Sequence, residues 1–394
     1  MNGTAPSGPT MPGMRKKAVL FLIVGIEPFG SERATLHVAH SLHSAGCKVR
    51  CVLEQREDRQ NHLVEMVTTL GIDVVLAKMA PHISRTYFLT DGQYRRSLFA
   101  NLCKGNAAIF KEMRSAQWDA IVFNKPSVFP YAILSFLAYG YRMTFRVGDL
   151  PPEGSWYQKM EFKLANWLCG QSVAISNFVA DSMVKMGVPN GKIEVIHNVP
   201  TRSRCTVPSA FPMRRKHQFV YVGQLTEKKG IGVLIEAILG LCRSDVGLWV
   251  VGGSEFGKPY VEGLRQFTET HEDSGIEFIG SVPDPSWYYA HADYHVVPSQ
   301  YDEPLGNVVQ EARECFCPSI VSPKGGLTEL VTHLQTGIML SGWELTNVKL
   351  GLLEAIKMKS DGRHETIRTN LKDMYFHSEC QQEFVSNWLK VIHA

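Results

Sequence analysis

The sequence predicts an α/β protein made of two facing, doubly wound Rossmann-like domains. Short apolar runs of strand length alternate with amphipathic stretches of helix length, a pattern typical of parallel sheets covered by helices on both faces. The pattern breaks near residues 200–216 and then begins again. The 394 residues suffice for two domains that each bury a core. We expect ligands in the cleft between the domains, at the carboxyl ends of the strands.

The apolar runs place seven strands in the first half of the chain and six in the second. The first set is 18–25, 48–53, 73–77, 120–124, 143–147, 172–176 and 193–197. The second set is 219–223, 247–252, 277–280, 294–298, 319–322 and 337–340. Helical patterns lie between them, including 32–44, 178–186 and 233–241. The chain after residue 344 is expected to be helical, ending in 383–392, and its last helices are expected to return to the N-terminal domain.

Composition shifts give the expected domain boundaries. Residues 1–14 are rich in Gly, Pro, Ser and Thr and are expected to be a disordered tail. The N-terminal domain is expected over 15–203, a proline-rich and basic linker over 204–216, the C-terminal domain over 217–375, and a C-terminal helix over 376–394. The apolar run after residue 17 superficially resembles a signal peptide. We interpret it as a buried first strand because a small-residue cleavage site is lacking.

Charge and cysteine content exclude several classes of protein. A net charge of +3 is too small to indicate a nucleic-acid-binding protein. The nine cysteines are scattered and form no C-x-x-C pair, which favours buried thiols in a reducing, cytoplasmic compartment over a metal site. The apolar segment 128–141 is too short to span a membrane.

The most chemically specific stretch is 302–329. It contains two glutamates eight positions apart, Glu303 and Glu311, and ends in a diglycine loop followed by Glu329. Acids near a helix start often only complement the helix dipole, for about 0.3–1 kcal/mol each, and that interpretation stays open for Asp302 and Glu303. The alternative is a site that holds a sugar and a ribose by their hydroxyl groups, with phosphates at a helix N-terminus.

A helix is expected to begin at Pro304, since proline suits the first helical position. Its apolar residues form one stripe at helical spacing, namely Val308, Ala312, Cys315 and Phe316. Gln310 and Glu314 are expected to point away from that stripe, and Glu311 to lie on its flank within reach of a ligand. The backbone N–H groups at the helix start are expected to form an anion site at Leu305, Gly306 and Asn307.

Other candidate residues of the second domain follow its first three strands. Lys228 and Lys229 lie in the turn after the first strand, where a lysine suits a phosphate but where a solvated turn is equally consistent. Gly252 follows the next strand and allows close approach of a ligand, although this signal is weak. The segment ending at Val282 offers backbone groups to a base.

The first domain opens with a loop around Gly30. It lacks the G-x-G-x-x-G fingerprint, and Ser31 stands where a P-loop requires lysine, so neither a dinucleotide dehydrogenase nor a P-loop NTPase is indicated. The loop still allows contact with an acceptor or a phosphate. Asp149 follows another strand and is a candidate for binding an acceptor hydroxyl, with a structural role in the turn before two prolines as the alternative.

Taken together, these motifs resemble the retaining GT-B glycosyltransferases of family four. The resemblance spans residues 19–340. Its most specific part is Pro298-Ser299, the segment from Glu303 to Ala312, Pro318 and residues 325–329, which looks like the E-x7-E motif of that family with its surrounding loops.

The resemblance implies roles for individual residues. Glu303 would contact the donor sugar and Glu311 the ribose, while backbone groups of Leu305, Gly306 and Asn307 would meet the sugar and the pyrophosphate. Lys229 matches the diphosphate-binding lysine of the family. Residues 30–33 are similar to its first glycine loop.

Three positions depart from the family pattern. Gln224 stands where the family usually has an arginine, which removes a permanent positive charge from the diphosphate end of the donor site. Gly148 stands where a histidine often precedes the aspartate, and Val199 where a glycine usually follows Asn198. The set of donor-binding residues is therefore nearly complete, and donor binding is better supported than catalysis.

The resemblance implies a retaining transferase that moves a hexose from a UDP- or GDP-sugar to a glycan or lipid-linked acceptor, with Glu303 and Lys229 at the reacting centre. No metal or other cofactor is expected, because the sequence has no D-x-D motif. A non-catalytic sugar-nucleotide-binding subunit and a sugar-nucleotide epimerase are the alternatives. The basic, aromatic region from Tyr94 through Lys111 and Arg114 to Trp118 is a candidate for peripheral contact with the inner face of a membrane, or else a solvated helix face.

Overall fold

The structure is a computed structural model, and it describes residues 17–26, 30–55, 60–79, 92–199, 207, 211–253, 258–271, 273–374 and 377–393. The chain divides into two compact units. Unit 1 comprises residues 1–198 and 381–394, and unit 2 comprises residues 199–380. The expected ends of the two domains, residues 203 and 375, lie near these divisions, whereas the expected linker over 204–216 belongs to unit 2. The expected tail over 1–14 and most of the linker lie outside the described residues.

Unit 1 contains a seven-stranded sheet in the order β3-β2-β1-β4-β5-β6-β7, and every pair of neighbours is parallel. Its strands are Ala18–Ile23 (β1), Lys48–Glu54 (β2), Asp73–Ala77 (β3), Ala120–Phe123 (β4), Met143–Val147 (β5), Gln171–Ala174 (β6) and Ile193–Val195 (β7). All seven lie where the apolar runs predict them. All residues of β1, β4 and β5 are buried, as expected for central strands covered on both faces.

The helices of unit 1 are Gly30–Ser44 (α1), Leu63–Thr69 (α2), Gly92–Ser115 (α3), Ile133–Tyr139 (α4), Trp156–Leu168 (α5), Asn177–Lys185 (α6) and the C-terminal His377–His393 (α14). Short 3-10 helices cover Pro126–Tyr131 and Gly140–Arg142. The ring of His37 in α1 stacks on Phe384 of α14 with centroids 5.6 Å apart. The last helix therefore returns to the N-terminal domain, as the sequence predicts.

Unit 2 contains a six-stranded parallel sheet in the order β10-β9-β8-β11-β12-β13. Its strands are His217–Val222 (β8), Val246–Val251 (β9), Ile276–Gly280 (β10), Tyr294–Val297 (β11), Ser319–Val321 (β12) and Gly337–Met339 (β13). The strand order reverses between β8 and β11, just as it reverses between β1 and β4 in unit 1. Doubly wound sheets bind ligands beyond the strand ends at such reversals.

The core of unit 2 lies on both faces of this sheet. Its helices are Ile231–Leu239 (α7), Lys258–Glu269 (α8), Ser286–His291 (α9), Asn307–Glu314 (α10), Leu327–Leu330 (α11), Leu345–Ser360 (α12) and Arg363–Met374 (α13). Phe219 and Tyr221 of β8 join the larger apolar cluster, whereas Val220 between them joins the smaller cluster around Trp249. Alternate side chains of one strand thus enter opposite layers, which fixes the sheet in the middle of the unit.

Candidate functional site

The reversal between β8 and β11 brings two loops of unit 2 into backbone contact. The loop after β8 ends in a 3-10 helix, Glu227–Lys229, and the loop after β11 begins at Pro298. Gly230 adopts a left-handed backbone with φ of 75°, and a Cβ atom there would lie 2.0 Å from the Pro298 carbonyl oxygen. Only glycine fits this crossing. The amide of Gln300 also donates to the Lys228 carbonyl at 2.9 Å, so the two loops are fixed to each other.

Glu303 lies at the centre of this contact and is only 5% exposed. The ammonium of Lys229 donates to both carboxylate oxygens, at 2.7 and 3.0 Å. Ser299 Oγ donates to Oε1 at 2.6 Å and the Tyr301 hydroxyl donates to Oε2 at 2.8 Å. A carboxylate offers about four acceptor positions, and these four bonds use that number. Charged, multiply bonded carboxylates inside a protein are stable only with such a set of donors.

The diglycine loop holds the backbone of Glu303. The Gly326 amide donates to the Glu303 carbonyl at 2.7 Å, and Gly325 pairs with Glu303 as an isolated parallel bridge. Gly325 has φ of 58°, and a Cβ atom there would lie 2.2 Å from the Glu303 carbonyl oxygen. The two sequence features noted separately, the first acid and the diglycine, are therefore parts of one structure.

The helix after Glu303 begins later than the sequence predicts. It starts at Asn307, and the preceding Gly306 has a left-handed backbone with φ of 102°. That conformation interrupts the helical path, so Pro304 lies in the loop and not at the first helical position.

The predicted apolar stripe of this helix is wrong as well. Val309 and Ala312 are buried, whereas Val308 is only half-buried, and the helix ends at Glu314, before Cys315 and Phe316. Gln310, which was expected to point away from the core, is buried. The buried residues Val309, Gln310 and Ala312 therefore lie on a different face of the helix from the predicted stripe.

Glu311 lies on the flank of this helix and is half-buried, as its position in the pattern predicts. The hydroxyl of the buried Tyr289 faces its Oε2 at 3.5 Å. Burial raises the pKa of Tyr289 well above its ordinary value, and the neighbouring carboxylate of Glu311 raises it further. The tyrosine therefore stays a neutral hydroxyl beside the glutamate.

Glycines end the three strands on the other side of the reversal. The Gly252 amide donates to the Gly280 carbonyl at 2.8 Å, and a Cβ atom at Gly252 would lie 1.9 Å from the Gly223 carbonyl oxygen. Val282, just beyond, packs against the cluster around Trp249. The side chain of Gln224 is exposed, and its backbone carbonyl accepts the Tyr221 hydroxyl at 2.7 Å. These residues bring the strand ends together without adding a second cation.

The equivalent reversal of unit 1 also carries an ion pair. Gly30 is the exposed first residue of α1, and residues 27–29 of its loop lie outside the described residues. Glu32 in the first turn of α1 is buried and accepts a hydrogen bond from Lys125, which follows β4. A Cβ atom at Gly25 would lie 2.7 Å from Glu32 Oε1. Lys125 was not singled out from the sequence, although a polar residue directly after a buried strand is a usable signal.

Arg146 is a further charged group of unit 1 that the sequence did not bring out. It is fully buried at the end of β5 and donates to Thr35 Oγ1 at 3.0 Å and to Asn198 Oδ1 at 2.7 Å. Burial lowers the pKa of its guanidinium to about 10, and Asp149 and Glu32 oppose that shift. Asp149 itself is exposed after β5. A single arginine inside an apolar strand is the signal that could have drawn attention to it.

Gly148 is constrained by this arginine. A Cβ atom at Gly148 would lie 2.8 Å from Ser31 Oγ and 2.9 Å from Arg146 Nη1. The buried guanidinium of Arg146 therefore occupies the space beside residue 148, where the family often has a histidine.

Neither a metal cluster nor a membrane span is found in the part of the chain that the structure describes. No group of three or more His, Cys, Asp or Glu side chains there is placed to hold a metal ion. No described helix is long and apolar enough to cross a membrane. Metal independence stays a prediction.

Two family models match the chain. Residues 29–199 match the model described as Glycosyltransferase Family 4, and residues 216–354 match the model described as Glycosyl transferases group 1. The first range lies almost entirely in unit 1 and the second in unit 2.

Curated relatives match over part of the chain. An uncharacterized glycosyltransferase of Methanocaldococcus jannaschii is 36% identical over 30% of this chain and 30% of its own length. A D-inositol 3-phosphate glycosyltransferase of Pseudarthrobacter chlorophenolicus is 27% identical over 40% of this chain and 42% of its own. These alignments cover less than half of either relative.

Solved structures match over nearly the whole chain. HepE of Anabaena, crystallised with UDP and glucose, has a TM-score of 0.72 at 20% identity and covers 94% of this chain and 98% of its own. Sucrose-phosphate synthase of Thermosynechococcus elongatus has a TM-score of 0.73 at 18% identity and covers 96% and 100%. At such identities the likeness establishes the fold alone. The chain is therefore a two-domain protein of the GT-B fold, and each of its units matches a glycosyltransferase family model.

Proposed function

We propose that this protein is a retaining, metal-independent glycosyltransferase that moves a hexose from a UDP- or GDP-sugar to a glycan or lipid-linked acceptor. The observation that carries the proposal is the contact between Lys229 and Glu303 at the reversal of the unit 2 sheet. It places a cation and a multiply bonded carboxylate beyond the ends of adjacent parallel strands, where such sheets bind nucleotides. The HepE crystals that contain UDP and glucose support a uridine donor.

In the proposed reaction the bond between the anomeric carbon and the diphosphate breaks, and a bond to an acceptor hydroxyl forms on the same face of the sugar. The diphosphate leaves with the bonding electrons, and its departing oxygen takes up the proton that the acceptor hydroxyl loses. The ammonium of Lys229 and the N-terminus of α10 would stabilise that developing negative charge. Glu303 would orient the sugar ring through its hydroxyls, and Glu311 would hold the ribose. Asp149 and the Gly30 loop are assigned to the acceptor.

The alternative with specific support is a sugar-nucleotide-binding subunit without catalytic activity. Gln224 supplies no charge to the diphosphate end, and Gly148 leaves no histidine beside Asp149. Both departures concern turnover more than donor binding.

The two proposals separate in one experiment. The full chain is incubated with a panel of UDP- and GDP-hexoses, with and without glycan and lipid-linked acceptors, and released nucleotide is measured with and without a chelator. Acceptor-dependent release that is unaffected by the chelator, with a product of unchanged anomeric configuration by NMR, is the expected result. Tight nucleotide binding without release establishes the binding subunit, and isomerised donor without acceptor establishes an epimerase.

A further inference from the structure

The exposed face of α5 is apolar, which is the reverse of what a surface helix normally shows. Trp156, Met160, Lys163 and Trp167 are the members of this α5 stripe, and all four are exposed. Their spacing places them within about 60° of each other around the helix, along roughly 16 Å of its length. Trp156 is 65% exposed and Trp167 is 75% exposed. The opposite side of the helix packs inward through Phe162 and Ala165.

A second apolar segment adjoins the end of the α5 stripe. The Gly170 amide donates to the Gly140 carbonyl at 2.8 Å, and a Cβ atom at Gly170 would lie 2.3 Å from the Tyr141 carbonyl oxygen. These contacts set the exposed Tyr141 beside the end of α5. Leu137, one turn earlier in α4, is 69% exposed. The combined surface therefore presents large apolar and aromatic side chains from two neighbouring elements.

Lysine and arginine side chains border this surface, and the exposed acid Glu153 lies three residues before Trp156. Lys163 lies within the α5 stripe and Lys159 flanks it, whereas the one acid of α5, Glu161, is buried. Residues 120–148, which include α4 and the turn around Tyr141, contain no acidic residue. Arg142 lies over the Tyr141 ring at 5.2 Å.

A cavity of about 230 Å³ lies in the same region. Arg114 and Arg142 line it together with Tyr139, and its lining includes no acid. The described basic side chains thus extend from the turn around Tyr141 into this cavity, and cations next to exposed apolar side chains suit a bilayer with an apolar interior and anionic headgroups.

We propose that the surface formed by the α5 stripe, Leu137 and Tyr141 docks on an anionic lipid bilayer. Tryptophan and tyrosine favour the boundary between headgroups and acyl chains, because their rings are apolar and each carries a polar group. A helix that lies in the plane of a membrane surface, with apolar residues on one face and lysines beside them, binds the membrane in two ways. It buries the apolar face among the lipids, and its lysines attract anionic headgroups. A second copy of the chain is a poorer occupant, since a self-contact would bring Lys159, Lys163 and Arg142 against their own counterparts.

This location differs from the one that the sequence suggested for membrane contact. Trp118, which ended the suggested region, is buried, and its Nε1 donates to the Glu112 carbonyl at 2.9 Å. It cannot reach a membrane. The side chains of residues 94–96 lie outside the described residues.

Vesicle sedimentation of the full chain tests the proposal. Wild-type protein should bind phosphatidylcholine vesicles that contain phosphatidylglycerol and should bind pure phosphatidylcholine vesicles more weakly. Its affinity for the anionic vesicles should fall at high salt, where the Debye screening length is a few ångströms. The double variant Trp156→Ser, Trp167→Ser should bind at least about tenfold more weakly, because tryptophan burial accounts for much of the partitioning. Lys163→Glu should reduce binding to the anionic vesicles only.

Leu350→Ser is the matched control, since Leu350 is a comparably exposed apolar residue of α12 in unit 2. It should bind vesicles like the wild type. Circular dichroism and thermal unfolding establish that each variant is folded. Failure of wild-type protein to bind anionic vesicles, or equal binding by the tryptophan variant, would overturn the proposal. Concentration-dependent dimerisation that the same substitutions abolish would instead assign the surface to self-association. The outcome does not depend on donor turnover, so it stands apart from the proposed reaction.

Discussion

Replacing Glu303 by glutamine should strengthen nucleotide binding while impairing sugar transfer. The Lys229 ammonium is bound to both oxygens of the Glu303 carboxylate, at 2.7 and 3.0 Å. A diphosphate that uses Lys229 must compete with this carboxylate. Glutamine keeps the shape of the side chain but removes its charge and leaves Lys229 one neutral acceptor oxygen, so the competition for the lysine weakens.

The contacts set the expected size of each effect. Hydrogen bonds to charged groups contribute about 1.5–3 kcal/mol each. Recovering one of them for the ligand corresponds to roughly a tenfold to hundredfold lower Kd for UDP or GDP. The glutamine amide would also set an N–H group against donors such as Ser299 and Tyr301, and an unsatisfied buried group costs about 1–3 kcal/mol of folding stability. Transfer should fall by about two orders of magnitude or more, as for loss of one preorganised polar contact to the reacting centre.

Isothermal titration with UDP and GDP, urea unfolding and a transfer assay measure the three quantities on one protein preparation. Lys229→Met should abolish the gain in the double variant, because it removes the group that glutamine holds less strongly. Asp373→Asn is the control for charge alone, since Asp373 is an exposed acid of α13. Weaker nucleotide binding by the Glu303→Gln variant would refute the competition between carboxylate and diphosphate.

Three further predictions concern other parts of unit 2. Gly325→Ala should destabilise the fold by about 3 kcal/mol or more, because φ is 58° and the new Cβ would lie 2.2 Å from a carbonyl oxygen. Gly263→Ala is the control, because Gly263 lies in α8 and no other atom lies within 4 Å of the new Cβ; it should leave stability unchanged or raise it by up to about 1 kcal/mol. Equal urea midpoints for the two variants would contradict the steric argument. Glu311→Gln should raise the Kd for UDP or GDP by about fivefold to a hundredfold, and an unchanged titration would remove Glu311 from the nucleotide site. Burial lowers the pKa of His295 to about 3 from 6.5. The unfolded chain then binds the extra proton first, so stability is full above pH 6.5 and falls as pH drops towards 3, by about 2 kcal/mol at pH 5. Thermal unfolding of His295→Gln should show a shallower loss between pH 7 and 5, and parallel curves would refute this assignment.

The central strands were predictable from sequence because each is a short run of buried, mostly apolar residues. Residues 18–25 and 294–298 illustrate this. Both contain central strands that are covered on both faces, so their sequences need no alternation of apolar and polar residues. The boundaries of α10 were not predictable in the same way. Gly306 adopts a left-handed backbone, which a glycine permits but does not require, and the helix therefore begins at Asn307 instead of Pro304.

The site was only partly predictable for a related reason. Glu303, Lys229 and the diglycine loop were visible as chemically unusual positions, and the structure brings them together. Their mutual contacts depend on the crossing of Gly230 over Pro298, which involves loops far apart in sequence. Arg146 was overlooked because its neighbours in β5 are apolar, and its partners Thr35 and Asn198 are distant along the chain.

The packing of Arg146 against Gly148 couples two positions in any change of this protein. A histidine installed at Gly148 alone would have to displace a guanidinium that has no exposed place to go. A smaller residue installed at Arg146 alone would leave Thr35 and Asn198 facing a void. A change at either position therefore affects the packing of the other, because Arg146 Nη1 lies beside residue 148.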